Sequence, residues 1–130
     1  MIESLTTDED GYVRFGLGIG IGLIYRRTGG KKALDIFKRL IRTGDRALRE
    51  GAGIGMGLAF QGTGNHEAIN LLRNLIIDEE DEYVKSDVAI GLGLILQKKE
   101  TIEKTPLGIL IFGTSNVLYS EFYPLYLIFL

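Results

Sequence analysis

The 130-residue chain has no cysteine, no tryptophan, two prolines and one histidine. Without cysteine there is no disulfide framework and no thiolate metal site, which agrees with an intracellular protein. With His66 alone, neither a histidine-based zinc site nor a histidine-oriented nucleophile has enough parts. The net charge of −2 provides no global attraction to nucleic acid. No basic leader followed by an apolar run opens the chain, so no secretory signal peptide is expected. With 45% hydrophobic and 25% charged residues, the rest of the composition suits one folded domain.

Glycine is abundant, and it is periodic. Gly16, Gly18, Gly20 and Gly22 alternate with bulky residues in the stretch 13–23. The stretch returns at 48–58 with Gly51, Gly53, Gly55 and Gly57, and at 84–94 with Gly91 and Gly93. The spacings are 35 and 36 residues, a period that signals stacked repeats. When residues 13–41 are laid on 48–76, 12 of 29 positions are identical, including Arg14, Thr28, Gly29, Ala33, Leu40 and Ile41 outside the glycine run.

Alternating glycines suit a strand, because period two puts them on one face. On a helix, at about 100° per residue, Gly16 and Gly20 form one shallow groove, and Gly18 and Gly22 form another on the opposite side. Each glycine costs a helix about 1 kcal/mol relative to alanine, so such a helix needs close packing against like neighbours, which small-xxx-small spacing permits. The residues beyond the stretch favour the helix. Residues 26–30 form a glycine loop, and residues 31–42 then place Ala33, Leu34, Phe37, Leu40 and Ile41 at helical spacing opposite charged positions. Gly44 is a candidate C-terminal cap. The second unit repeats the plan, with Ala68, Ile69, Leu72, Leu75 and Ile76 on the apolar face of 66–77. A pair of helices per unit buries both apolar faces. The expected fold is all-α, an α-α superhelix or toroid-type solenoid of 35-residue helix pairs.

The expected organisation is an irregular lead-in at 1–11, repeats at 12–46, 47–82 and a partial 83–104, and a divergent apolar tail at 105–130. Pro106 interrupts the third unit. The tail is long enough to suggest a membrane span, but Thr114, Ser115, Asn116, Ser120, Glu121 and Pro124 lie within it. Ten of the 15 Lys and Arg residues fall between Arg14 and Arg49, and five acids run from Asp78 to Glu82. A solvated repeat surface with an acidic loop is the expectation there, with a partner-docking patch as the alternative.

Motifs that look chemical do not hold together. Gly18, Gly20 and Gly22 lack the spacing of a dinucleotide fingerprint. Residues 28–32 lack the frame of a phosphate loop. The paired carboxylates at 78–82 show no sign of a cleft with separated pKa values. No catalytic, cofactor-binding or metal-binding residue is assigned, and no enzyme activity is expected.

The repeat length, the glycine run ending in leucine, and the stretches 49–53 and 62–72 resemble the proteasome/cyclosome repeat family. Its members include the large non-ATPase scaffold subunits of the proteasome regulatory particle and the largest subunit of the anaphase-promoting complex. The resemblance covers about residues 12–97. It implies helix pairs built into a toroid and a non-catalytic scaffold for ubiquitin-dependent protein degradation in cytoplasm and nucleus. The partners it implies are other regulatory-particle subunits, ubiquitin receptors and deubiquitinating components, with no cofactor and no nucleic acid. An anaphase-promoting-complex scaffold and a glycine-zipper membrane-associated protein are the alternatives. Asp87 and Ala89 stand where the first two glycines of the third copy are expected.

Overall fold

The computed structural model of the protein describes residues 2–97. The end of the expected third unit and the apolar tail, with the membrane span considered for it, lie outside the described residues. Those residues form six helices and no strand: α1 (Ile2–Thr6), α2 (Gly11–Ile24), α3 (Lys31–Arg42), α4 (Arg46–Ala59), α5 (His66–Asp78) and α6 (Glu82–Leu96). The fold is an α-α solenoid of helix-pair repeats, as the period and the amphipathic second helices predict.

The three glycine stretches are α2, α4 and α6, and they pack side by side in chain order. The amphipathic helices lie against them: α3 covers α2 and α4, and α5 covers α6. Most of the apolar positions read from the sequence are buried, and Ile41, Ile69 and Leu75 are partly buried. Ala33, Leu34, Phe37 and Leu40 of α3 are in the core with Ala68, Leu72 and Ile76 of α5. They meet Leu48, Ala52 and Met56 of α4 and Val84, Val88, Leu92 and Ile95 of α6. Each fully buried aliphatic side chain contributes about 1.5–3 kcal/mol, which offsets the poor helix propensity of the glycines.

The helix ends follow the same period. Asp10, Asp45 and Asp81 are the N-caps of α2, α4 and α6, and each carboxylate accepts from a backbone N–H of the first turn. Asn65 caps α5 in the same way, with Ala68 N–H donating at 3.0 Å. Such caps stabilise a helix by about 1 kcal/mol each. Gly44 has φ +75° and its N–H donates to Ile41 C=O, the left-handed geometry expected after a helix C-terminus.

One expectation is corrected. The start of the chain is not wholly irregular, because α1 forms there and packs on α2. Together with α3 it also lines a cleft of about 100 Å³ bounded by Ile2, Thr6, Ile36 and Leu40. Arg39 donates to Glu3 at 3.2 Å across it. Leu5 sits 35 residues before Leu40, so α1 occupies the repeat position of the last turn of α3.

Candidate interaction surfaces

Two kinds of contact join one repeat to the next. The first is backbone against backbone. A side chain added at Gly18 would run into the Gly51 carbonyl, and one at Gly22 into the Gly55 backbone. On the other side of α4, a Cβ at Gly57 would stand 2.6 Å from Gly91 Cα, and one at Gly53 would stand 3.1 Å from Val88 Cα. Both grooves of α4 are therefore filled, one by α2 and one by α6. The connecting loops extend this register. Arg27 N–H donates to Leu58 C=O and Gly62 N–H donates to Leu94 C=O, both at 3.0 Å.

The second kind of contact is ionic and runs along the edge formed by the N-termini of α2, α4 and α6. Arg14 reaches forward to Asp45 at 3.2 Å. Arg49, its equivalent one repeat later, holds Glu79 through Nε at 2.8 Å and Nη2 at 3.3 Å. The Glu79 side chain is only 8% exposed, so this forked pair is largely shielded from solvent. Arg46 pairs with Glu50 at 2.9 Å and with Asp81 at 3.0 Å, and lies over the Tyr83 ring at 4.9 Å. An open groove of about 430 Å³ runs along this edge between α2 and α4, lined by Asp10, Tyr12, Phe15, Arg46 and Glu50.

Asp87 faces this network from α6. Burial pushes its carboxyl up to about 7, with Glu50 and Asp81 adding to the rise and Arg46 opposing it. It occupies the position of Gly51 in the preceding copy.

The acidic run at 78–82 is therefore only in part the solvated loop expected of it. Asp81 caps α6 and binds Arg46, and Glu79 binds Arg49. Asp78, Glu80 and Glu82 are exposed. Arg46 and Arg49 of the basic first half are thus the partners of Asp81 and Glu79 across the repeat boundary. The recurrence of Asp10, Asp45 and Asp81 at spacings of 35 and 36 is the sequence signal that identifies this edge, and the glycine pattern does not reveal it. Nor does the glycine pattern reveal Gln61 and Gln97, 36 apart and both buried, where Gln61 Nε2 donates to Gln97 Oε1 at 3.1 Å.

The motifs that invited a chemical reading fall apart in space. Gly18 and Gly22 lie against the α4 backbone, with no room for a pyrophosphate. Gly29 and Gly30 take φ +50° and +102° in the turn before α3. His66 is exposed on the first turn of α5. No group of three or more His, Cys, Asp or Glu residues among the described ones could hold a metal ion. No helix among them is long and apolar enough to cross a membrane.

A stacked series of helix pairs, joined by repeating loop and ion-pair contacts, defines a helical-repeat scaffold of the kind on which other proteins dock. Within that class, the family model described as HEAT repeats matches residues 1–93. The chain belongs to the HEAT repeat family. No curated protein and no solved structure matches it. HEAT-repeat proteins are typically non-catalytic and mediate protein–protein interaction.

Proposed function

We propose that this chain is a non-catalytic scaffold of the proteasome/cyclosome-repeat type, acting in the proteasome regulatory particle. There it positions partner subunits for ubiquitin-dependent protein degradation. The observation that carries the reading is the filling of both α4 grooves by neighbouring backbones, Gly55 against Gly18 on one side and Gly57 against Gly91 on the other. HEAT repeats typically run to about 40–47 residues. The 35- and 36-residue spacings here are shorter, and glycines bring the backbones of neighbouring helices into direct contact. Both features are what the resemblance to that repeat family predicts. We read the stretch 62–72, preceded by 49–53, as a resemblance to the larger of the two non-ATPase scaffold subunits.

The implied partners are regulatory-particle subunits, including ubiquitin receptors and deubiquitinating components, and the implied locations are cytoplasm and nucleus. The ionic edge at the N-termini of α2, α4 and α6 and its groove offer a polar docking strip for them. Affinity purification of the full chain from its native cells, with identification of co-purifying proteins, tests this. Regulatory-particle subunits are the expected result. Recovery of anaphase-promoting-complex subunits instead would move the assignment to that assembly, and recovery of neither would overturn both.

A further inference from the structure

The same six positions have opposite fates in successive copies. In α4 they are Ala47, Leu48, Gly51, Gly55, Leu58 and Ala59, on the side where Gly51 and Gly55 meet α2; five of the six are buried. In α2 they are Tyr12, Val13, Gly16, Gly20, Leu23 and Ile24. Tyr12 is 87% exposed, Ile24 78% and Leu23 48%. A Cβ at Gly16 or Gly20 would meet nothing within 4 Å. At about 100° per residue these six fall within about 120° of the helix circumference, and none carries a charge. This is a contiguous exposed apolar face of the kind that marks an interaction site, and it continues the α2–α4–α6 stack outward.

The order of residues on the face points to what covers it. The face reads the same in both directions about residue 18. Gly16 and Gly20 lie equally far from that centre, as do Val13 and Leu23, and Tyr12 and Ile24. Small residues occupy the middle and large ones the ends. The symmetry extends to charge: exposed Glu9 and Asp10 precede the helix, and exposed Arg26 and Arg27 come after it at the matching distances. Two such helices laid antiparallel about a two-fold axis would place glycine on glycine, Val13 on Leu23 and Tyr12 on Ile24. They would also set the acidic end of each beside the basic end of the other. Close approach at Gly-xxx-Gly and self-complementarity under a two-fold axis are both met. The alternative, a head-to-tail contact using the α6 groove equivalent to Gly53 and Gly57, would give open-ended growth and not a closed dimer.

We propose that the exposed face of α2 is a homodimerisation surface, on which a second copy of this chain docks antiparallel through Gly16 and Gly20. Sedimentation velocity of the full 130-residue chain tests it. The expected result is a concentration-dependent monomer–dimer equilibrium that stops at two copies. Gly20→Lys has room in the monomer but would block the close approach. It should weaken the dimer by about 10–100-fold, the equivalent of an overpacking penalty, with helical circular dichroism retained. Ile77→Lys, at another exposed apolar position on α5, should leave the dimer intact and controls for general stickiness. A monomer at all concentrations, open-ended growth beyond two, or a dimer that survives Gly20→Lys would each overturn the proposal. Loss of the dimer in Ile77→Lys with retention in Gly20→Lys would move the interface to α5 and overturn it equally.

Discussion

Helices α2 and α4 carry nearly the same glycine pattern and sit in different surroundings. In α4 both glycine grooves are filled by neighbouring backbone, whereas in α2 only the Gly18 and Gly22 groove is filled and the Gly16 and Gly20 groove is open. Glycine is the residue that makes this difference invisible in the sequence. Its lack of a side chain is a requirement where two backbones meet and a liability where nothing meets it. The pair therefore shows that a repeated motif does not carry a repeated energetic role. The role is set by whether the neighbour is present.

The strongest test of that comparison is one substitution made twice, at equivalent positions. Gly55→Ala should destabilise by about 3 kcal/mol or more, because the added carbon would collide with the Gly18 carbonyl, a backbone atom that cannot move aside. It would also lie 2.8 Å from Phe37 Cε1, and Gly55→Val should be worse. Denaturant melts measure both. If Gly55→Ala were neutral, the packed-groove account of α4 would fail.

Next in size is the ionic joint between the second repeat and the third. Arg49→Met leaves Glu79 without its forked partner, at a side chain only 8% exposed. A loss of about 2–3 kcal/mol is expected, below the full cost of orphaning a completely buried charge. Arg14→Met breaks the contact of the equivalent arginine to Asp45, an acid far more exposed than Glu79, so a loss under about 1 kcal/mol is expected there. Equal losses at the two joints would remove the distinction between them.

The third test concerns Asp87, the carboxylate that replaces a groove glycine. Its folded-state pKa of about 7 lies above the ordinary value of 3.8, so the native state holds the proton more tightly than the unfolded chain does. Stability from this group is therefore present below about pH 4 and is lost as pH rises through about 7. Asp87→Asn should remove that slope and stabilise the protein at pH 8 by about 1–2 kcal/mol, the half-buried site being partly screened. Thermal melts of both proteins at pH 5 and pH 8 read this out. A pH profile that is unchanged in the variant would show that Asp87 is not the source of the slope.

The last effect has the opposite sign to the largest. Gly20→Ala, at the α2 equivalent of Gly55, should stabilise by about 1 kcal/mol through helix propensity alone, measured at dilutions where the chain is monomeric. Destabilisation there would mean that the α2 groove is filled even in the monomer.

Much of the fold was legible because the signals are periodic. The extents of α3 and α5 come from the spacing of Leu34, Phe37 and Leu40, and of Ala68, Leu72 and Ile76. Those helices have one apolar face each, and burial is the only good use for it. The glycine stretches were legible as helices only through their neighbours, since alternation alone fits a strand equally well. The ionic edge was not read from the sequence. Asp45 and Arg14 lie 31 positions apart, and so small an offset from the repeat length has no meaning until two repeats are stacked. The acids at 78–82 look solvated for the same reason, because nothing local shows that Arg46 and Arg49 lie across the repeat boundary.

By itself the sequence determined the period, the helix pairs, the caps and the apolar faces, since these depend on interactions within one turn or one repeat. Tertiary structure alone decided which glycine grooves are full, which acids are held by arginines, and that the face from Tyr12 to Ile24 is left exposed. The reason is physical. A helix states its own periodicity through its side chains, but where those side chains are missing, only the position of the next backbone says whether the gap is a contact or an opening.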